Sequence, residues 1–265
     1  MTITATDNTN LIMSPLKFRL YSLLNLMGIL PNLGQLKNPF KIHEFLTILA
    51  GARLAGNDQI LDLGCGAGIQ TQLLAKRCAH VIGVDPNQSS IERADALLTR
   101  SRLRAKITYM NGDLLDLRLS AGSLDRVFSF CVLEHIPHYG DVLAEIYRLL
   151  RPGGQIHLSV DSLATIEDGE LETKHRLDHH VHQYFSLDTL RQALTSVGLE
   201  VQQAFPIFTG PYAGKMFSQG IQRGYFAANP VRRYLIYRKL VQEDRVRAGV
   251  EQGIMLVAHA VKPRA

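Results

Sequence analysis

Short apolar runs alternate with amphipathic stretches along the chain from residue 59 onward. In the amphipathic stretches, apolar residues recur every three or four positions, the spacing of one helix face. Repeated strand–helix units of this kind predict a parallel sheet with helices on both faces. The predicted strands are Gln59–Leu63, His80–Asp85, Ala105–Met110, Ser123–Phe130, Gln155–Val160 and Leu199–Phe205, with Gly253–Val261 closing the sheet. The predicted helices are Thr71–Cys78, Ser89–Leu103, Gly140–Leu150 and Ser186–Val197.

Three segments do not follow this repeat. Leu11–Leu54 is predicted to form helices that Pro31 and Pro39 interrupt, and it is a candidate lid. Asp161–Tyr184 is a long polar loop rich in histidine, and Phe208–Gln252 is an aromatic and basic insertion before the last strand. Insertions of this length inside a compact domain are often functional. We therefore expect one decorated domain, with a helical segment at residues 1–54, a core at residues 55–207 and 253–265, and an insertion at residues 208–252.

The composition is that of an ordinary globular protein. Of the 265 residues, 46% are hydrophobic and 20% are charged, so the chain can bury a sizeable core. Cys65, Cys78 and Cys131 show no metal-type spacing and are odd in number, which favours a reducing compartment. The longest N-terminal apolar run, Leu20–Leu30, is too short to span a bilayer. A cytoplasmic location is expected.

The net charge of +5 arises mainly late in the chain. Between Lys215 and Arg247 the only acids are Glu243 and Asp244. The basic residues of this segment are Lys215, Arg223, Arg232, Arg233, Arg238, Lys239, Arg245 and Arg247. Such a segment is typical either of a solvated helix face or of a surface for nucleic acid, an anionic membrane or an acidic substrate.

A glycine-rich turn, Asp-Leu-Gly-Cys-Gly-Ala-Gly at residues 62–68, directly follows the first predicted strand. Glycine is needed where the backbone takes a positive φ or where a ligand approaches too closely for a Cβ atom. The N–H groups at the start of the next helix favour an anion or a polar ligand group. The dinucleotide fingerprint would end at Ile69, whereas this turn closes on Gly68, which argues against a nicotinamide cofactor.

Five motifs in order resemble those of the class I S-adenosylmethionine-dependent methyltransferases. The first is ILDLGCGAGIQT at residues 60–71, and the second is VIGVD at residues 81–85. NGDL at residues 111–114 resembles the segment after the third strand of that family. LDRVFSFCVLEHI at residues 124–136 and RLLRPGGQIHL at residues 148–158 resemble the fourth and fifth strands with their flanking turns. The resemblance, which is to small-molecule enzymes of the methyltransferase type 11 kind, covers about residues 59–160.

The resemblance implies a Rossmann-like, doubly wound α/β fold with a seven-stranded, mostly parallel sheet and an antiparallel last strand. Residues 55–207 would bind S-adenosyl-L-methionine, and residues 208–252 would form a helical wall of the substrate pocket. Asp62 would hold the methionine amino group, Asp85 the ribose hydroxyls and Asp113 the adenine amino group. The expected cofactor-binding residues are Asp62, Gly64, Cys65, Gly66, Gly68, Asp85, Pro86, Gly112, Asp113, Leu114, Phe130, Cys131 and His135.

Histidines supply the candidate bases. Methyl transfer from a sulfonium is an in-line displacement, and a hydroxyl or activated-carbon acceptor must also lose a proton. His135 follows the fourth predicted strand, at the sheet edge where ligands bind in open α/β folds. Residues 174–184 contain four further histidines, and the candidates there are His179, His182 and Tyr184. Imidazole with carboxylate would suit zinc, manganese or iron, but the spacing matches no metal motif, so we expect no metal. The other two interpretations of this histidine-rich segment are a wall of the substrate pocket and a solvated loop.

The acceptor is expected to be a small, lipophilic or natural-product-type molecule that is methylated at oxygen or carbon. Six aromatic residues would line its pocket or, alternatively, form a second small core: Phe205, Phe208, Tyr212, Phe217, Tyr225 and Phe226. An RNA or protein methyltransferase using the basic insertion is an alternative. No nucleic-acid partner is expected, because residues 130–133 are Phe-Cys-Val-Leu where base-directed amino methyltransferases carry an Asn-Pro-Pro-Tyr-type turn.

A third interpretation is a lipid or quinone methyltransferase with peripheral membrane contact, made by residues 11–45 and the basic segment. The oligomeric state, monomer or homodimer, stays open.

Overall fold

The computed structural model describes residues 36–99, 101–224, 226 and 228–264. Labelled in chain order, the strands are β1 (Gln59–Leu63), β2 (His80–Asp85), β3 (Ile107–Asn111), β4 (Leu124–Phe130), β5 (Leu150–Asp161), β6 (Glu200–Ile207) and β7 (Met255–Val261). The α-helices are α1 (Pro39–Ala52), α2 (Ile69–Ala75), α3 (Gln88–Leu98), α4 (Tyr139–Leu149), α5 (Gly169–His179), α6 (Leu187–Ser196), α7 (Pro211–Arg223) and α8 (Pro230–Val246). None of these helices is long and apolar enough to cross a membrane.

The seven strands form one sheet in the order β3-β2-β1-β4-β5-β7-β6. Within this sheet β7 alone runs antiparallel to its neighbours, which confirms the predicted Rossmann-like α/β class. The last strand, β7, lies between β5 and β6. The direction of winding reverses between β1 and β4, and in such sheets ligands bind at the carboxyl ends of the strands beside this point.

The central strands divide their side chains between two apolar layers, as expected for a sheet that is covered on both faces. On β1, Ile60 packs in the layer that contains α1 and α2, whereas Leu61 packs in the layer that contains α4 and α6. Phe128 and Val127 of β4 divide in the same way. Because both faces are filled, the carboxyl edge of the sheet is the place where polar side chains of neighbouring strands can meet.

Helix α1 packs directly on the sheet. Pro39 does not break this helix but occupies its first turn, and the Asn38 side chain accepts a hydrogen bond from the Phe40 N–H. Ile48 is fully buried, and a Cβ atom at Gly51 would collide with the ring of His259 on β7. Residues 1–35 of the predicted lid, which include Lys17 and Arg19, lie outside the described residues.

Several predicted bounds differ from the observed ones by a few residues, and β5 begins at Leu150 instead of Gln155. The long loop expected at Asp161–Tyr184 contains α5, because Asp168 caps its first turn by accepting from the Glu170 and Leu171 N–H groups. The helix predicted to reach Leu103 ends at Leu98 instead. These differences leave the order of elements unchanged.

Helices α7 and α8 form the insertion before β7, as predicted. Phe208 and Phe217 of this region are buried, and their ring centroids lie 4.8 Å and 5.6 Å from that of Phe40 on α1. Phe226 joins the group at 5.7 Å from Phe40. This packing favours the second of the two sequence interpretations, a small aromatic core beneath the insertion; Tyr225 lies outside the described residues.

Candidate active site

The turn between β1 and α2 requires glycine at alternate positions. Gly64, Gly66 and Gly68 have φ angles of 69°, 52° and 72°, which L side chains rarely adopt. A Cβ atom at Gly64 would collide with Val132, and one at Gly68 would collide with the hydroxyl of Tyr109. No atom lies within 4 Å of a Cβ built at Gly66. Neighbouring side chains therefore close the two ends of the turn, and its centre stays open for a ligand.

Asp62 lies near the end of β1 with its side chain buried. Thr71 of α2 donates a hydrogen bond from Oγ1 to Asp62 Oδ2 at 2.6 Å, while Asp62 Oδ1 has no hydrogen-bond partner among the described residues. Burial raises the pKa of Asp62 to about 7; the Thr71 hydrogen bond opposes this rise and the charge of Asp85 adds to it. A buried carboxylate oxygen without a partner fits a cationic amino group, which would neutralise it and donate to it.

Asp85 ends β2 beside the glycine turn. Its Oδ2 accepts from the Gly66 N–H at 2.8 Å, and its Oδ1 accepts from the Asn87 N–H at 2.9 Å. A carboxylate offers about four acceptor positions, so both oxygens retain capacity for further donors. This arrangement suits a pair of neighbouring hydroxyl groups. Pro86, the next residue, is exposed at the same corner.

The end of β3 is tied to the end of β2. Asn111 donates from its side-chain amide to the backbone oxygens of Asp85 and Pro86, each at 3.1 Å. Gly112, with a φ of 147°, donates its N–H to Asp85 O at 3.2 Å. Since β3, β2, β1 and β4 are neighbours in this order, the predicted cofactor residues lie in a row along one edge of the sheet.

Three further predicted cofactor residues, in the turns after β1 and β3, differ in exposure. Asp113 is exposed, and its Oδ1 accepts from the Leu115 N–H at 3.0 Å, whereas Leu114 is buried. Cys65 is buried, and burial raises the pKa of its thiol well above the usual value. Cys65 therefore stays protonated and fills space in the turn, and it is not a nucleophile.

The turn after β4 reaches the same edge. Phe130 is buried, and Cys131 has a φ of 54°, which is uncommon for a residue with a side chain. The Cys131 N–H donates to Ser159 O on β5 at 3.1 Å, and its Sγ donates to Glu44 Oε1 on α1 at 3.2 Å. Burial and the Glu44 charge raise the pKa of the thiol well above its usual value, so the thiol stays protonated.

Three buried carboxyl groups converge behind this turn. Glu44 of α1, Glu134 of the turn and Asp161 at the end of β5 are 0%, 0% and 5% exposed. Glu134 Oε1 accepts from the Asp161 N–H at 3.2 Å, while Glu134 Oε2 has no hydrogen-bond partner among the described residues. Lys41 places its Nζ 2.9 Å from Glu44 Oε2. Three carboxyl groups thus face the ammonium group of one lysine, and we call Lys41, Glu44, Glu134 and Asp161 the buried acid cluster.

The charges in this cluster are strongly coupled. Burial raises the pKa of Glu134 well above its usual range, and the neighbouring Asp161 raises it further. Burial also raises the pKa of Asp161, although Lys41 opposes the rise. For Lys41, burial lowers the pKa, but the carboxylates of Glu44 and Asp161 oppose this effect, and the pKa lies above the ordinary value. Carboxyl groups with raised pKa values can hold or accept a proton near neutral pH.

The histidines of residues 174–184 do not converge. His175 is buried, with Nε2 3.6 Å from Asp161 Oδ2 and Nδ1 3.0 Å from the hydroxyl of Tyr184. The ring centroid of His179 lies 4.7 Å from that of His175, but His179 itself is exposed. His182 is also exposed, and only its backbone N–H reaches the cluster, by donating to Glu134 O at 2.8 Å.

His135 lies half-buried at the same turn, with Nδ1 3.4 Å from the backbone oxygen of His180. Burial lowers the pKa of His135, so its imidazole is neutral at neutral pH and retains a lone pair. The sequence predicts four catalytic residues. The side chains of His135 and Tyr184 lie at or next to the buried acid cluster, whereas His182 contacts the cluster only through its backbone and the side chain of His179 is exposed.

One group in the described part of the chain has the ligand types of a metal site. Atoms of Cys131, Glu134 and Asp161 lie within 4.8 Å of one another. The histidines of the predicted loop form no such group there. Positive charge is already supplied next to Glu44 by Lys41, so the buried acid cluster carries its own counter-charge.

Glu44, Glu134, Asp161 and His175 are not among the site residues that the sequence predicts. Glu44 shares a helix face with Phe40 and Ile48 at intervals of four, and an acid on an apolar stripe is a signal for a buried partner. Asp161 ends a strand in the same way as Asp85. His175 lies in a segment that the sequence predicts to be a loop, for which no buried helix face is expected.

Comparison with known proteins agrees with this geometry. Residues 61–158 match the family model described as a methyltransferase domain. A probable S-adenosylmethionine-dependent methyltransferase of Mycolicibacterium smegmatis is 27% identical over 248 residues, which are 88% of this chain and 93% of that protein. The sterol 24-C-methyltransferase of Kluyveromyces lactis is 29% identical over 168 residues, which are 60% of this chain and only 44% of that enzyme.

Solved structures show the same fold. The phosphoethanolamine N-methyltransferase 2 of Haemonchus contortus, solved in complex with S-adenosyl-L-methionine, superposes with a TM-score of 0.62 at 19% identity. The match covers 83% of this chain and 52% of that one. A second structure, an S-adenosylmethionine-dependent methyltransferase from Mesorhizobium loti, gives a TM-score of 0.58 at 20% identity, over 83% and 97% of the two chains.

The sheet order, the glycine turn and the row of strand-end carboxylates, together with these matches, define a class I S-adenosylmethionine-dependent methyltransferase. Residues 61–158 form a methyltransferase domain of this class, and the site fits S-adenosyl-L-methionine as its cofactor.

Proposed function

We propose that this enzyme transfers the methyl group to an oxygen or a carbon of a small, lipophilic acceptor that binds beside the buried acid cluster. The observation that carries the proposal is Glu134, a fully buried carboxyl group with Oε2 unpartnered among the described residues, in the turn after β4. A buried polar atom without a partner suits an acceptor that brings one polar group to it. The sterol enzyme of Kluyveromyces lactis, by its name a C-methyltransferase, supports this class of acceptor.

The cofactor fits the edge formed by β3, β2, β1 and β4. Asp62 Oδ1 would accept from its amino group, Asp85 would accept from its ribose hydroxyls, and Asp113 with Leu114 would contact its adenine. Gly64, Gly66 and Gly68 keep the turn free of side chains there. When bound, the cofactor supplies an electrophilic methyl group. The remaining residues proposed to contact it are Cys65, Pro86, Gly112, Phe130, Cys131 and His135.

The buried acid cluster would handle the proton of the acceptor. A carboxylate whose pKa is raised by burial is a stronger base than an exposed one, and Glu134 and Asp161 are both of this kind. His135, with a neutral imidazole, is the second candidate base. Tyr184 would act as a positioning residue, because its hydroxyl contacts His175 Nδ1 at 3.0 Å. His179 and His182 are exposed, and we assign them to the rim of the acceptor entrance.

The proposal can be tested by incubating the purified enzyme with a cell extract and isotopically labelled S-adenosyl-L-methionine. The expected result is a labelled species that partitions into an organic solvent and gains the mass of one methyl group. Label found only in RNA or protein would overturn the proposal.

Variants then test the role of the cluster. Asp161→Asn is expected to lower kcat at least about tenfold and to flatten its pH profile, because the base is replaced by a neutral amide. Asp178→Asn is the matched control, because Asp178 is an exposed residue of α5 paired with Lys174. Equal kcat and unchanged pH profiles in both variants would remove Asp161 from the proton path.

A further inference from the structure

The two acids between Lys215 and Arg247, Glu243 and Asp244, are both turned into the protein. Glu243 accepts hydrogen bonds from the Tyr212 and Ala213 N–H groups, each at 3.0 Å, at the start of α7. Asp244 accepts from the Phe208 N–H at 2.9 Å, and His43 Nε2 lies 2.8 Å from its Oδ2. Both carboxylates therefore satisfy backbone donors inside the fold and leave no negative charge on the outside of α8.

The exposed residues of α8 form a single face. At 100° per residue they fall within an arc of about 140°. They are Val231, Arg232, Leu235, Arg238, Lys239, Gln242, Arg245 and Val246, and we call this set the outer face of α8. The helix has 17 residues and so a length of about 25 Å. Every charged residue on this face is basic.

Apolar and basic residues are ordered across the outer face. The helical angles place an apolar stripe at its centre, where Val231, Leu235 and Val246 are 72%, 59% and 79% exposed. Arg238 and Arg245 lie along one side of this stripe, and Arg232 and Lys239 lie along the other. None of these four cations is within ion-pair distance of an acid in the described ranges. Large exposed aliphatic side chains are therefore bordered by unneutralised positive charge on both sides.

We propose that the outer face of α8 binds the surface of an anionic lipid bilayer. The aliphatic stripe would enter the boundary between headgroups and acyl chains. The flanking arginine and lysine side chains would extend sideways to the lipid phosphates, because long basic side chains keep their charge at the polar interface while their stems pack against apolar surface. Attraction to anionic lipid adds to the binding for each basic residue near the surface.

The apolar stripe distinguishes this partner from nucleic acid. Cations on a helix would also suit a phosphate backbone, but a backbone offers nothing that buries aliphatic side chains. A solvated helix face would not need three exposed aliphatic residues in line. The inference concerns where the enzyme docks and does not depend on which acceptor it methylates.

Vesicle flotation of the full chain tests the proposal, with phosphatidylcholine vesicles that contain or lack phosphatidylglycerol. The protein is expected to float with the anionic vesicles and not with the neutral ones. Arg238→Glu combined with Arg245→Glu is expected to weaken binding at least about tenfold. Leu235→Ser, which leaves the charge unchanged, is expected to weaken it about fivefold through loss of apolar burial.

Lys76→Glu is the matched control, because Lys76 is an exposed basic residue at the end of α2, and it is expected to bind like the unchanged protein. Calorimetric binding of S-adenosyl-L-methionine by each variant confirms that it is folded. No flotation with anionic vesicles at low salt would overturn the proposal. RNA retention that depends on Arg238 and Arg245 but not on Leu235, without vesicle binding, would assign the face to nucleic acid instead.

Discussion

Thr71 Oγ1 donates a 2.6 Å hydrogen bond to one carboxylate oxygen of Asp62, and the other oxygen is buried without a partner among the described residues. Burial raises the pKa of Asp62 to about 7, although this hydrogen bond opposes the rise. A cationic amino group at the free oxygen would favour the ionised form. Below about pH 7 its binding must therefore be accompanied by release of a proton from Asp62.

The affinity for S-adenosyl-L-methionine is thus expected to rise with pH up to about 7 and to level off above it. Calorimetric titration over this range measures the effect. Asp62→Asn is expected to bind more weakly and with a much smaller pH dependence, because the amide does not titrate. The same slope in this variant and in the unchanged protein would show that another group titrates.

Asp85→Ala is expected to weaken cofactor binding at least about tenfold, because the carboxylate that would accept from the two ribose hydroxyl groups is lost. The variant also loses the acceptors of the Gly66 and Asn87 N–H groups. Asp95→Ala, an exposed residue of α3, is the control. Undiminished affinity of Asp85→Ala in calorimetry would refute the assignment of the ribose position.

Gly68→Ala is expected to lower the free energy of unfolding by about 2 kcal/mol or more, since the residue has a positive φ and its Cβ would strike Tyr109. Combining it with Tyr109→Phe should recover only part of the loss, because this change removes the nearest colliding atom, the hydroxyl oxygen, and leaves the ring carbon Cζ at 2.6 Å. Gly56→Ala, where no atom lies within 4 Å, should be close to neutral. Urea unfolding measures all three, and equal stabilities of the first and last variants would contradict the collision.

His157 and His259 face each other across β5 and β7, with their Nδ1 atoms 2.7 Å apart. Burial lowers the pKa of His157 to about 3, and the neighbouring His259 adds to this effect. Between about pH 3 and pH 6.5, His157 is therefore neutral in the folded protein and charged in the unfolded chain. Its contribution to stability is therefore present above about pH 6.5 and lost as the pH falls towards 3.

Between about pH 7 and pH 4 the free energy of unfolding should fall by about 3 kcal/mol through His157. In His157→Gln this part of the fall should be absent, while His80→Gln, a partly exposed control, should keep it. Denaturant titrations at the two pH values give the comparison. An identical fall in all three proteins would assign the acid sensitivity to other groups.

Asp244→Asn is expected to lower the free energy of unfolding by about 2 kcal/mol, because the carboxylate accepts from two backbone N–H groups and from His43. Asp178→Asn, on the exposed side of α5, should leave it nearly unchanged. Thermal unfolding at neutral pH distinguishes the two. Similar small changes would show that Asp244 does not hold α8 to the turn at Phe208.

The cofactor edge of the fold could be predicted from sequence because its signals are local. The bounds of β1 and β2 agree with the prediction to the residue, since each is a short apolar run that ends in an acid or a glycine turn. Gly64 and Gly68 reflect a backbone geometry that only glycine adopts readily. The identity and spacing of these residues suffice because neighbouring positions in the chain are also neighbours in the site.

The acceptor side could not be predicted in this way. Glu44, Glu134 and Asp161 are far apart in the chain and meet only because α1 packs over the ends of β4 and β5. The histidines of residues 174–184, conspicuous in sequence, do not all reach the site: His175 and His179 share one face of α5, where His175 is buried and His179 is exposed, and His182 lies beyond the helix with its side chain exposed. Burial depends on which part of a helix face packs against the rest of the fold, so closeness in sequence does not predict a shared site.

By itself, the sequence determined the sheet-and-helix class, the glycine turn and the carboxylates that follow β1 and β2, because local periodicity and backbone geometry specify them. It also determined the excess of positive charge late in the chain. Only the tertiary structure decided where that charge is left uncompensated. Glu243 and Asp244 turn inward because buried N–H groups at Phe208 and at the start of α7 need acceptors, and this leaves the outer face of α8 basic around an aliphatic stripe.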